Sequence, residues 1–110
     1  LVDFDKQEQA WHNKQQPIQL ATGQLLEPRQ VLALIKEEYW QTGQISIRYR
    51  QGGEKIQPVN RQHHHDLKKL LQAEAVPIWQ RERIPLIYIN QQLAIVWGYW
   101  VAIEFAKVNF

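Results

Sequence analysis

The sequence predicts an α+β domain in which short strands surround one main helix. Three stretches carry that expectation. Ile45, Ile47 and Tyr49 alternate with Ser46, Arg48 and Arg50, the period of two of a half-buried strand. Leu67, Leu70 and Leu71 recur at helical spacing behind Asp66, a natural N-cap. Two apolar runs, residues 86–89 and 93–96, flank Asn90-Gln91-Gln92 and read as a strand pair. A chain of 110 residues has room for one domain with one modest core.

Taken in order, residues 1–16 are polar and Gln-rich, and read as a linker or edge element at a domain boundary, in part open to helix. The domain proper is expected over residues 17–110. Pro17 precedes the alternating Ile18 and Leu20, a short strand ended by Thr22-Gly23, with Leu25 and Leu26 as its return strand. Residues 30–40 support two readings. Pro28 suits the first turn of a helix that Val31, Leu34 and Ile35 would continue, and variable loop structure is the alternative. The strand from Ile45 places three apolar side chains inward and Arg48 and Arg50 on the opposite face, and Gly52-Gly53 ends it because paired glycines permit positive φ. The main helix runs from Asp66 to about Glu74 with Lys68, Lys69 and Gln72 outside, and Pro77 stops it. A turn or short helix over residues 78–83 follows, then the strand pair, then a last strand over residues 100–105.

Composition narrows the function. The chain starts at Leu1 and contains no Met, so a piece of a longer protein is expected. Zero Cys excludes a disulfide framework and a thiolate zinc site, and fits a reducing cytoplasm. No apolar run approaches the roughly 18 residues of a membrane span, so a cytoplasmic protein without a membrane partner is expected. Net charge is only +2, yet residues 46–83 hold eight Lys/Arg against four acids while the remainder holds five against seven. A basic middle of this kind fits one face built for an anion such as phosphate. A solvated surface of mixed sign produces similar blocks.

No catalytic constellation emerges. Ser46 is the only serine and has no Ser/His/Asp context, and no G-x-x-x-x-G-K-[ST] loop is present. His63, His64 and His65 are adjacent, so their side chains diverge in any regular backbone, and a solvated loop is the better reading than a metal site. Lys68 and Lys69 carry more information. Cations in a helix's first turn oppose the macrodipole by about 0.3–1 kcal/mol each, and a bound phosphate would reverse that sign. Keeping the outer face wet is the plainer role. Trp79, Trp97, Trp100, Tyr88 and Tyr99 suit base stacking, but a module this small needs aromatics in its core. Core is favoured for Trp97 or Trp100, and Trp79, beside Gln80 and Arg81, stays open. Arg81 and Arg83 share a face only if their segment is extended.

Four motifs stand in series: Arg-x-Gly-Gly-Glu over residues 50–54, Leu-Lys-Lys-Leu over 67–70, Val-Pro-x-Trp-x-Arg-x-Arg-x-Pro-Leu over 76–86, and Val-Trp-Gly-x-Trp-Val over 96–101. In this order and spacing they resemble the last domain of bacterial tRNA(Ile)-lysidine synthetases, over about half of the chain. The resemblance implies a small β-sandwich-like fold of unusual topology with one main helix, related to a domain in the β subunit of phenylalanyl-tRNA synthetase. It implies a parent ligase that uses ATP to join lysine to the wobble cytidine of a tRNA(Ile) with a CAU anticodon. This domain would hold the tRNA on its acceptor-stem side, beside the remaining domains of the enzyme. The family's Ser-Gly-Gly-x-Asp-Ser nucleotide loop does not occur in this sequence. ATP and Mg are therefore expected in an N-terminal domain, with no cofactor and no activity in this chain alone. Arg48, Arg50, Lys55, Lys68, Lys69 and Arg83 are the expected RNA contacts. Asp66 departs from the family's small or basic residues before Leu-Lys-Lys and sets an anion where a phosphate would bind. The rival function is an intramolecular docking module whose basic face meets acidic surface on its own enzyme. A free-standing DNA-binding domain lacks a recognition helix or finger signature.

Overall fold

The computed structural model describes residues 7–107, and the chain enters it as an edge strand, β1 (Gln9–Ala10). The segment expected as linker or edge element is thus an edge element from residue 9 onward. Residues 7–16 form no helix, and residues 1–6 lie outside the described residues. Trp11 is buried. Its ring meets Trp40 edge to face with centroids 5.0 Å apart, and its indole N–H donates to the carbonyls of Asn13 and Gln16 at 3.1 and 3.0 Å. A tryptophan goes inside on those terms, with its single polar atom satisfied.

The expected hairpin forms from β2 (Ile18–Gln19) and β3 (Leu25–Leu26), paired antiparallel. Residues 28–42 then form two short helices, α1 (Pro28–Leu32) and α2 (Glu37–Thr42), where the sequence left one helix or a loop open. Pro28 opens α1 as expected. Its continuation is broken by tertiary pairing: Ile35 bridges Ala106, Lys36 N–H donates to the Phe105 carbonyl at 2.9 Å, and Lys107 N–H donates to the Leu34 carbonyl at 2.9 Å. Backbone groups that a helix would use internally are committed to the C-terminal segment instead. α2 is matched to its dipole at both ends, with Glu37 and Glu38 in the first turn and the Lys14 ammonium donating to the carbonyls of Trp40, at 2.6 Å, and Gly43. Burial pushes the Lys14 pKa below its ordinary value.

Gly43 ends α2 for a steric reason. A Cβ there would lie 2.4 Å from the Tyr39 carbonyl oxygen and 2.8 Å from Ile89 Cγ2. Gly43→Ala is therefore expected to destabilise by about 1–3 kcal/mol, the usual cost of forcing atoms into a packed site. Urea denaturation of the variant checks it. An unchanged midpoint would mean that α2 does not pack this closely on the sheet.

The remaining elements are β4 (Ile45–Arg48), β5 (Lys55–Ile56), β6 (His65–Asp66), α3 (Leu67–Ala73), α4 (Ile78–Arg81), β7 (Leu86–Ile89), β8 (Gln92–Val96) and β9 (Trp100–Val101). They assemble one five-stranded antiparallel sheet in the order β1-β4-β7-β8-β9, beside two two-stranded ribbons, β2-β3 and β5-β6. The class is α+β, as expected. Ser46, on the face opposite Ile45, Ile47 and Tyr49, is nonetheless buried with them. The expected one-sided strand is thus covered on both faces as far as Ile47. β7 and β8 join through Asn90 and Gln91 at φ 50° and 70°, with Ile89 paired to Gln92. That is the two-residue turn whose twist suits a hairpin. A register shift at Ile87/Tyr88 marks a bulge in this pair. The last strand is shorter than expected, and residues 103–105 turn back so that Phe105 packs inward against Tyr39.

One sheet edge is covered, and the other is a two-residue strand linked to the neighbouring ribbon. Beyond β9, Pro58 bridges Ala102, Val59 N–H donates to the Val101 carbonyl at 3.1 Å, and Ile103 N–H donates to the Gln57 carbonyl at 2.9 Å. Beyond β1, the Gln9 side-chain amide donates to the Gln19 carbonyl at 2.8 Å.

Candidate nucleic-acid interface

The register of the sheet gathers the basic residues. Arg48 pairs with Leu86 and Leu86 with Val96, so Arg50, the 51–54 loop, Arg83 and the 97–99 turn lie at one end, opposite the Asn90-Gln91 turn. Trp97 N–H, donating to the Pro85 carbonyl at 3.1 Å, ties that end together. Leu67 N–H donates to the Glu54 carbonyl at 2.9 Å, and Lys55 pairs with Asp66 in the β5–β6 ribbon. The start of α3, with Lys68 and Lys69, is thereby fixed beside Lys55 and the Gly-Gly loop.

Gly52 and Gly53 adopt φ of 107° and 84°, which is why glycine stands there. Two of the loop's amides are already occupied: the Glu54 carboxylate accepts from Gln51 N–H at 2.7 Å and Gly52 N–H at 3.1 Å. A backbone cradle of this kind is where an anion would sit, and here the Glu54 carboxylate takes that place at Gln51 and Gly52. The sequence displayed the glycines but gave no sign that Glu54 fills the loop they make.

The six expected contacts divide. Lys55, Lys68 and Lys69 are exposed. Asp66 takes the N-cap position of α3 but makes no side-chain cap hydrogen bond. Its carboxylate instead lies 3.9 Å from the Lys69 ammonium, an exposed pair of little energetic weight. Arg50 is half-buried, its Nε enclosed without a hydrogen-bond partner. Arg83 is exposed at the same end of the sheet. Arg48 is set apart from these five. Its guanidinium lies 4.2 Å above the Tyr88 ring, donates to Glu8 at 3.0 Å, and bonds the Gln91 side chain of the opposite turn. Burial first, then the Glu54 charge, pushes the Tyr88 pKa up, and the Arg48 cation opposes them. The adjoining cleft of about 490 Å³ carries Glu8 and Glu54 as well as Arg48, so its lining holds both signs.

Arg81 ends α4 with its Nε donating to the Val76 carbonyl at 2.7 Å, which fixes the connection between α3 and α4. Trp97 and Trp100 are half-buried against the core, while Trp11 and Trp40 provide its buried tryptophans. Trp79 is 69% exposed. His63 and His64 are exposed and His65 lies in β6. Among the described residues, no group of three or more His, Cys, Asp or Glu is placed to hold a metal ion, and no helix is long and apolar enough to cross a membrane.

A family model, the TilS substrate C-terminal domain, matches residues 45–109. The tRNA(Ile)-lysidine synthase of Coxiella burnetii is 50% identical over 60 residues, 54% of this chain and 13% of that protein. That of Methylococcus capsulatus is 42% identical over 73 residues, 66% of this chain and 17% of that protein. That of Shewanella woodyi is 43% identical over 79 residues, 71% of this chain and 16% of that protein. The chain thus spans less than a fifth of the length of these curated relatives.

Proposed function

The chain belongs to the TilS substrate C-terminal domain family, and from that premise we propose that it holds tRNA for a tRNA(Ile)-lysidine synthetase. The observation that carries this reading is the gathering of Arg50, Lys55, Lys68 and Lys69 around the junction of Glu54 with Leu67, with Arg83 at the same end of the sheet. Exposed side-chain cations suit the phosphate backbone of A-form RNA, whose deep major groove hides base edges. The domain grips the acceptor-stem side of a tRNA(Ile) with a CAU anticodon. The remainder of the enzyme, in the cytoplasm, binds ATP and Mg and joins lysine to the wobble cytidine. Kinship with the phenylalanyl-tRNA synthetase β-subunit domain belongs to the same reading.

A surface that neutralises phosphates releases counterions, so binding should weaken with salt at a log-log slope of about −0.7 to −0.9 per contact. Changing Lys68 and Lys69 together to Ala in the full-length enzyme should weaken tRNA binding and make that slope shallower by up to about two. Filter-binding titrations at several salt concentrations measure both. If affinity and slope are unchanged while the thermal melt loses cooperativity, the two lysines serve docking on the enzyme itself. If nothing changes, they leave the site.

A further inference from the structure

We propose that Trp79 is a stacking platform for an unpaired nucleobase of the bound RNA, an inference that rests on the RNA-binding reading above. Trp79 and its neighbour Ile78 are 69% and 73% exposed, the two most exposed large hydrophobic side chains among the described residues. The sheet core does not use them. The helix that carries them is nonetheless firmly held. Gln80 and Arg81 N–H both donate to the Pro77 carbonyl, at 3.0 and 3.1 Å, and the Arg81 guanidinium ties back to Val76. The Gln80 amide donates to the Tyr99 hydroxyl at 3.4 Å across to the β8–β9 turn. Trp79 is therefore an exposed indole whose backbone is fixed by folding, which lowers the ordering cost of binding through it.

Its position selects the ligand. α4 leads through Arg83 into the start of β7, and Tyr99 follows the end of β8, so Trp79 stands at the same end of the sheet as Arg50 and Arg83. Its neighbours along the chain are polar and basic, Gln80, Arg81 and Arg83 against one acid, Glu82, and Gln80 reaches the Tyr99 hydroxyl. An exposed aromatic with arginines close by in the chain is the combination that single-stranded nucleic acid engages, bases on the ring and phosphates on the cations. A paired A-form stem offers no exposed base face, so the occupant is an unpaired nucleotide at a strand end or in a loop.

The test uses the full-length synthetase with Trp79→Ala and Trp79→Phe, titrated with intact tRNA transcript and with transcript trimmed of its unpaired 3′ nucleotides. Stacking on one base predicts that Trp79→Ala weakens binding of intact tRNA about tenfold or more, with the salt slope unchanged, and that Trp79→Phe restores most of it. Loss of the Trp79→Ala effect on the trimmed transcript places the base at the strand end. Persistence of the effect places it in a loop. Unchanged affinity of Trp79→Ala overturns the proposal, as does a loss that Trp79→Phe fails to recover. A drop in melting cooperativity with tRNA affinity intact also overturns it, and makes the patch a contact with the rest of the enzyme. The Lys68/Lys69 titration separates the two levels: a changed slope there with an inert Trp79 refutes only the platform, whereas an unchanged slope and affinity in both counts against the RNA reading itself.

Discussion

Trp11→Ala is expected to lower stability by about 3–5 kcal/mol, a large share of the roughly 5–15 kcal/mol that a domain commonly has. The side chain is 3% exposed, so the substitution removes a full indole from the interior. It also ends the edge-to-face contact with Trp40, of a kind worth about 0.5–1.5 kcal/mol beyond area, and strips the carbonyls of Asn13 and Gln16 of a shared donor. Those two carbonyls shape the turn that carries Lys14 to the end of α2, so the loss should spread to that helix. Differential scanning calorimetry would show a fall in Tm of more than about 10 °C. Trp11→Phe should recover part of it by refilling volume without restoring the N–H. A Trp11→Ala protein that melts with the parent would mean that the first strand is a passive attachment.

Leu70→Ala should cost about 2–5 kcal/mol, while Lys69→Ala, one residue away, should leave folding nearly unchanged. Leu70 is 4% exposed and packs in the core with Leu67 and Leu71. Lys69 faces solvent, and the carboxylate it pairs with, Asp66, is 3.9 Å away and itself half-exposed. Guanidinium denaturation of the two variants reads the contrast directly. A lysine change more damaging than the leucine change would put α3 in the wrong register.

Where local pattern decides structure, the sequence was readable. The leucine stripe of α3, the alternation of β4 and the two strands around Asn90 each signal through periodicity or turn chemistry within a few residues. β1, β5 and β6 are two residues long, too short for any period to register, and exist because distant chain pairs with them. The break between α1 and α2 is set by Ala106, about seventy residues away in sequence. The candidate site divides in the same way. Lys68 and Lys69 follow from helical geometry, but the capture of Arg48 by Glu8 is a tertiary event across 40 residues. The filling of the Gly-Gly loop by Glu54 depends on a conformation that glycine permits without dictating.

The margins of the sheet bear on behaviour at high concentration. A bare strand edge invites another chain to add to it, the usual first step of edge-to-edge aggregation. Here one outer strand is two residues long, with a glutamine amide laid across to the neighbouring ribbon. The other is capped by a segment whose central residue, Pro58, has no N–H to offer. Among the described residues, a second molecule therefore meets a paired segment beyond β9 and only a two-residue edge at β1. The domain should stay monodisperse when concentrated, and resist recruitment into fibrils for as long as β1 remains docked.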